Sequence, residues 1–139
     1  MNMGSFKASK MVYEDGTEFG RYTVIPNNVL DRIAEIDLTN DEKKVLFRII
    51  RNTVGYETTK NGTSVRKLSA DFPLEYLVEK TGVSGRKVET ILKRLEKRRI
   101  IERRGDTITF SHSLELWHPN DEIAEEEEKH WKELHEPKS

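Results

Sequence analysis

Residues 81–104, TGVSGRKVETILKRLEKRRIIERR, constrain this chain more than any other stretch. At about 100° per residue, Val88, Ile91, Leu92 and Leu95 share one face of a helix running from 84 to about 98, and Arg86, Thr90, Lys93 and Lys97 fall near the opposite side, with Arg94 on its flank. Gly82 stands where a helix-ending residue takes positive φ at no steric cost. Ser84 stands where an N-cap would. Beyond the helix, Ile100–Arg103 and Thr107–Phe110 read as strands around Gly105-Asp106, a two-residue hairpin signal. A glycine turn, an amphipathic basic helix and a basic hairpin are the layout of a helix-turn-helix with a β-wing.

That layout names candidate contacts. The N-terminal half of a groove-seated helix reaches base edges, so Ser84, Arg86, Lys87 and Thr90 are the candidates for base or near-base contact, because arginine can engage guanine with two hydrogen bonds. Lys93, Arg94 and Lys97 are the candidates for phosphate. Arg103, Arg104 and Thr107 would let the hairpin lie along the backbone or place an arginine in the minor groove. The simpler readings are a solvated charged face and edge strands guarded by charge. The three features in succession favour double-stranded DNA as the partner.

The formal net charge of −1 argues against nucleic acid until it is divided. Residues 79–104 hold ten basic residues against four acidic ones, whereas 115–136 hold nine acidic residues against Lys129 and Lys132. The local field, not the sum, governs attraction to phosphate.

Elsewhere the chain reads as a single domain over 21–117, between a flexible N-terminal arm over 1–20 and an acidic tail over 118–139. The arm is polar, with Asp15-Gly16 as a turn in a loose hairpin. Tyr22–Pro26 is extended, since the residue before proline is pushed away from helix. Asn27 or Asn28 caps a helix with Val29, Leu30, Ile33 and Ile36 inward. Thr39 and Glu42 form a capping box ahead of Val45, Leu46, Ile49 and Ile50. Residues 57–63 are polar with a turn at Asn61-Gly62, and Ser64–Leu68 is a short strand. Pro73 fits the first turn of a helix with Leu74, Leu77 and Val78 inward. The tail either runs as a helix from Asp121 to Leu134, folding onto the basic face or anchoring a partner through Trp131 and Leu134, or stays solvated. The fold class is therefore mostly α with a small β-sheet, a winged helix-turn-helix.

Chemistry is conspicuous by what is missing. Cysteine is absent, which removes disulfides and thiolate metal sites. His112, His118, His130 and His135 are scattered, so no metal is expected. No phosphate loop and no poised carboxylate pair suggests an enzyme or a cofactor. No run approaches the roughly 20 apolar residues that span a bilayer, and the start lacks a secretion signal, so the expectation is a cytoplasmic protein with no membrane contact.

With these elements placed, the chain resembles the N-terminal domain of the phage replication protein O family. Thr23-Val24-Ile25-Pro26-Asn27 matches the family's extended Thr-x-Ile-Pro-Asn stretch, Arg51-Asn52-Thr53-Val54-Gly55-Tyr56 its Arg-x-Thr-x-Gly-aromatic element, and Thr81-Gly82-Val83-Ser84 its Thr-Gly-aliphatic-Ser turn. Trp117 stands where a tryptophan commonly closes that domain. The match covers about 22–117. The turn is shared by many regulators, and the first two elements are more specific. The resemblance implies binding to repeated sites in a phage origin, with a separate C-terminal region recruiting a helicase or its loader. Here Ser64–Lys80 is longer than the usual connection, and only the acidic tail stands where a recruitment region would lie. Initiators of this kind often form homodimers, though no heptad seam is written here. Two other functions use the same fold: a transcriptional regulator, and a winged helix used only for protein interaction.

Overall fold

The computed structural model describes residues 11–135, in which five α-helices pack with three small antiparallel sheets. Strands β1 (Met11–Val12) and β2 (Glu18–Phe19) form a hairpin about the expected Asp15-Gly16 turn of the arm, and residues 1–10 of that arm lie outside the described residues. The turn uses Gly16 at φ +90°, and Thr17 N–H donates to the Asp15 carboxylate at 2.9 Å. Helix α1 (Asn27–Glu35) buries Val29 and Ile33. Neither asparagine caps it. Pro26 is the N-cap, and its carbonyl accepts from Val29 and Leu30. Leu30, expected inside, is 43% exposed, because the apolar stripe of this short helix follows Val29, Ile33 and Ile36 and leaves position 30 on its outer edge.

Helix α2 (Asn40–Asn52) starts at the anticipated capping box. Glu42 N–H donates to Thr39 Oγ1 at 3.1 Å and Thr39 N–H to Glu42 Oε1 at 2.8 Å. Val45, Leu46, Ile49 and Ile50 are fully buried, forming the centre of the core. The polar stretch after α2 is itself a hairpin, β3 (Glu57–Lys60) with β4 (Thr63–Arg66). Asn61 and Gly62 both take positive φ, 51° and 79°, as a two-residue turn matched to strand twist requires. The strand expected over Ser64–Leu68 is thus split. Its first part pairs backward with β3, and a separate strand β5 (Ser69–Asp71) enters the central sheet.

Helix α3 (Leu74–Thr81) begins one residue after Pro73 and ends at Gly82, φ +73°. Helix α4 (Gly85–Lys97) follows after the three-residue turn, with Lys87 N–H donating to the capping Ser84 Oγ. Strands β6 (Ile101–Arg104) and β7 (Thr107–Phe110) complete a three-stranded sheet in the order β5-β7-β6. The succession α2, β5, α3, α4 and hairpin is consistent with a winged-helix-like arrangement.

The core joins α1–α4 to the inner face of that sheet through Val88, Leu92, Leu95, Ile100, Ile108 and Phe110. Trp117 closes it, edge-on to Phe110 at 5.6 Å, with its indole N–H donating to Ser111 O. Helix α5 (Asp121–His135) continues the chain and buries Ala124, and Asn120 Oδ1 accepts from Ile123 N–H in its first turn. Residues 136–139 of the expected tail lie outside the described residues.

Candidate nucleic-acid interface

The inner stripe of α4 determines what its outer stripe can do. Val88, Ile91, Leu92 and Leu95 are all buried, so the helix cannot roll, and Arg86, Lys87, Thr90, Lys93, Arg94 and Lys97 face solvent along its outer side. Ser84 is exposed at the N-terminal end. Thr90 bonds back to the Arg86 carbonyl at 3.1 Å, which leaves its hydroxyl oxygen as an acceptor toward solvent. Lys87 Nζ lies 3.7 Å from Asp41 of α2, and Lys97 Nζ 3.2 Å from Glu128 of α5. Both are exposed pairs, weak enough to be exchanged for phosphate. Among the described residues, no ion pair engages Arg86, Lys93, Arg94 or Arg104.

The hairpin divides its residues by role. Arg104 is exposed next to Gly105, which takes φ +59° at the turn. Arg103 points back onto α4, where its guanidinium donates to Glu89 at 3.1 Å and to Glu96 at 3.3 Å, and its side chain is only 19% exposed. Glu89 and Glu96 stand two helical turns apart, so one guanidinium reaches both and holds the hairpin against the helix. Thr107 donates to Asp71 of β5 at 2.8 Å, joining the central strand β7 to the edge strand β5 beside the turn. The exposed cations of α4 and the hairpin turn are thus carried by one rigid unit.

Two further groups bear on this surface, and of these only the second was foreseen, as the alternative in which the tail folds onto the basic face. Arg98, one of the ten basic residues in the run, is 1% exposed and donates to the carbonyls of Asp37, His118 and Pro119. Burial pushes its pKa below the usual arginine range, opposed by the carboxylates of Asp121, Glu42 and Asp37. A guanidinium with five donors stays charged there. Helix α5 brings Glu127 to Arg99 and His118, and Glu128 to Lys97, at the C-terminal end of α4. The Lys97 hydrogen bond is the main influence holding the Glu128 carboxyl below its ordinary value. A cavity of about 510 Å³ remains between α5, the end of α4 and β6.

Among the described residues, no cluster of three His, Asp or Glu side chains could hold a metal ion, and no helix is long and apolar enough to cross a membrane. Comparison with curated proteins gives no match. Among solved structures, a transcriptional regulator of the CRP/FNR family from Thermus thermophilus is similar at 16% identity and a TM-score of 0.38, over 71% of this chain and 46% of that one. That likeness is too slight to bear on fold or function. The sequence model of bacteriophage replication protein O, by contrast, matches residues 13–117, well over half of the chain and all of the elements from β2 to Trp117. The chain belongs to the bacteriophage replication protein O family.

Proposed function

We propose that this chain is a winged-helix protein that binds double-stranded DNA sequence-specifically, with α4 seated in the major groove and the β6–β7 hairpin as its wing, and that its task is to recognise repeated sites in a phage replication origin. The observation that carries the reading is the row of exposed donors on α4, continued by Arg104, on a helix whose opposite face is locked in the core. Ser84, Arg86, Lys87 and Thr90 read bases or lie beside them. Lys93, Arg94 and Lys97 hold phosphates. On the wing, Arg104 meets the backbone, and Arg103 and Thr107 serve it from beside the turn. Membership in the replication protein O family supports replication over transcription as the setting. Repeated sites would set copies side by side, as homodimers or larger assemblies, and a helicase or its loader would be engaged by surface outside α4 and the wing. No catalytic step belongs to this proposal.

The test is a nuclease footprint across the replication region of the genome that carries the gene. Protection phased with a repeat array is expected. Protection confined to a promoter would move the reading to transcriptional regulation, and absence of duplex binding at low salt would end both.

A further inference from the structure

A second concave surface lies away from α4, where the two most specific sequence elements meet. Residues Arg21–Val24 run against Arg51, Asn52, Gly55 and Tyr56, and Glu57 and Arg66 of the β3–β4 hairpin complete a groove of about 470 Å³. The contact is close. A Cβ on Gly55 would stand 2.2 Å from Thr23 Cγ2 and 2.9 Å from Ile50 O. Gly55 and Thr23 therefore join the extended segment to the end of α2.

That packing does not account for the groove's walls. Tyr22 and Tyr56 are 56% and 53% exposed, and they are large rings left facing water. Among the described residues Tyr22 meets another ring only edge-on, Phe19 at 6.2 Å, and Lys67 Nζ sits 5.3 Å from the Tyr56 ring centre. Three arginines line the groove against one carboxylate. Arg66 pairs with Glu57 at 3.5 Å, and among the described residues no ion pair engages Arg21 or Arg51. The β3–β4 hairpin beside it is polar and largely exposed, so core packing does not explain its presence.

Exposed tyrosines interleaved with arginines in a groove are what unpaired bases require: a ring to stack on and cations along the backbone. A duplex offers neither face of its bases, since they are already stacked and paired. We infer that this groove binds single-stranded DNA, with Tyr22 and Tyr56 stacking bases and Arg21, Arg51 and Arg66 holding phosphates. The inference is independent of the role assigned to α4.

The experiment is fluorescence anisotropy of the full chain with labelled oligo(dT) and, separately, with a duplex, at matched low salt. Tyr22→Ala/Tyr56→Ala should weaken oligo(dT) binding about tenfold or more while leaving duplex binding within about twofold. Both rings are exposed, and circular dichroism checks that the variant folds. Arg86→Ala/Lys93→Ala should do the reverse. The groove assignment is overturned if the intact chain does not bind oligo(dT), or if the tyrosine variant leaves oligo(dT) binding unchanged or loses both ligands equally. Failure of the α4 variant to weaken duplex binding would instead count against the recognition helix alone.

Discussion

Arg98 and Arg99 are neighbours with the same side chain, and the fold gives them opposite duties. Arg98 ends α4 on its inner side and spends its donors on three backbone carbonyls. Removing it takes that donor from the part-buried carbonyls of Asp37 and His118, while Pro119 O keeps the Asp37 N–H, and it empties the space of a buried side chain, so Arg98→Ala should lower stability by about 3 kcal/mol in urea denaturation. Arg99, exposed and paired with Glu127, should cost under about 1 kcal/mol when replaced by alanine. Equal effects would show that the carbonyl contacts contribute little. Arg86 is exposed and in no ion pair among the described residues, so its alanine variant should keep full stability. If Arg86 is bidentate to a base, Arg86→Ala should lose roughly 1–3 kcal/mol of discrimination between a specific site and random duplex. Equal loss on both sequences would refute its reading role. A count of basic residues treats Arg86, Arg98 and Arg103 as alike. Only their positions on α4 and β6 decide which of them meet solvent.

At the scale of elements, helices were the legible part, because capping and a 3.6-residue period are local. The box at Thr39 and Glu42, the positive-φ Gly82 and the Ser84 cap all stand where the residues place them. Thr39→Ala should destabilise the domain by about 1 kcal/mol, seen as a lower midpoint of thermal unfolding. No change would mean that α2 is held by packing alone. Strands were less legible. Asn61-Gly62 carried a hairpin signal, and its flanks, Glu-Thr-Thr-Lys and Thr-Ser-Val-Arg, are rich in β-branched residues but lack an apolar alternation. Without a buried face, nothing local says that the two flanks pair with each other rather than with the central sheet. For the same reason Ser69–Asp71, three residues long, is a strand only because β7 lies beside it. The hairpin of β6 and β7 was legible because Ile101, Ile108 and Phe110 mark its buried face and Gly105 its turn.

Across the whole molecule, opposite charges that cancel in the sum are brought into contact. Helix α5 sets Glu127 and Glu128 against Arg99 and Lys97, where Lys97 is also a proposed phosphate contact. Glu127→Gln/Glu128→Gln should therefore raise affinity for duplex DNA by roughly 1.5- to 5-fold per pair, read by anisotropy at matched salt. Unchanged affinity would remove the competition. Because Lys97 holds the Glu128 carboxyl below its ordinary value, that pair contributes fully above the ordinary carboxylate range and is lost as pH falls through the depressed value. The four proposed phosphate contacts, Lys93, Arg94, Lys97 and Arg104, set a log-affinity slope against log salt of about −3.6 or steeper. A flat response would sink the DNA reading altogether. By itself the sequence determined helices α1–α4, the β6–β7 hairpin, the inner and outer stripes of α4 and, by resemblance, the family, since each rests on neighbours within one or two turns of chain. Tertiary structure alone decided that Arg98 is buried, that Arg103 is tied to Glu89 and Glu96, that α5 reaches the end of α4, and that Thr23 meets Gly55. Those outcomes depend on residues far apart in sequence, and local periodicity holds no information about which distant charge or carbonyl a side chain will find.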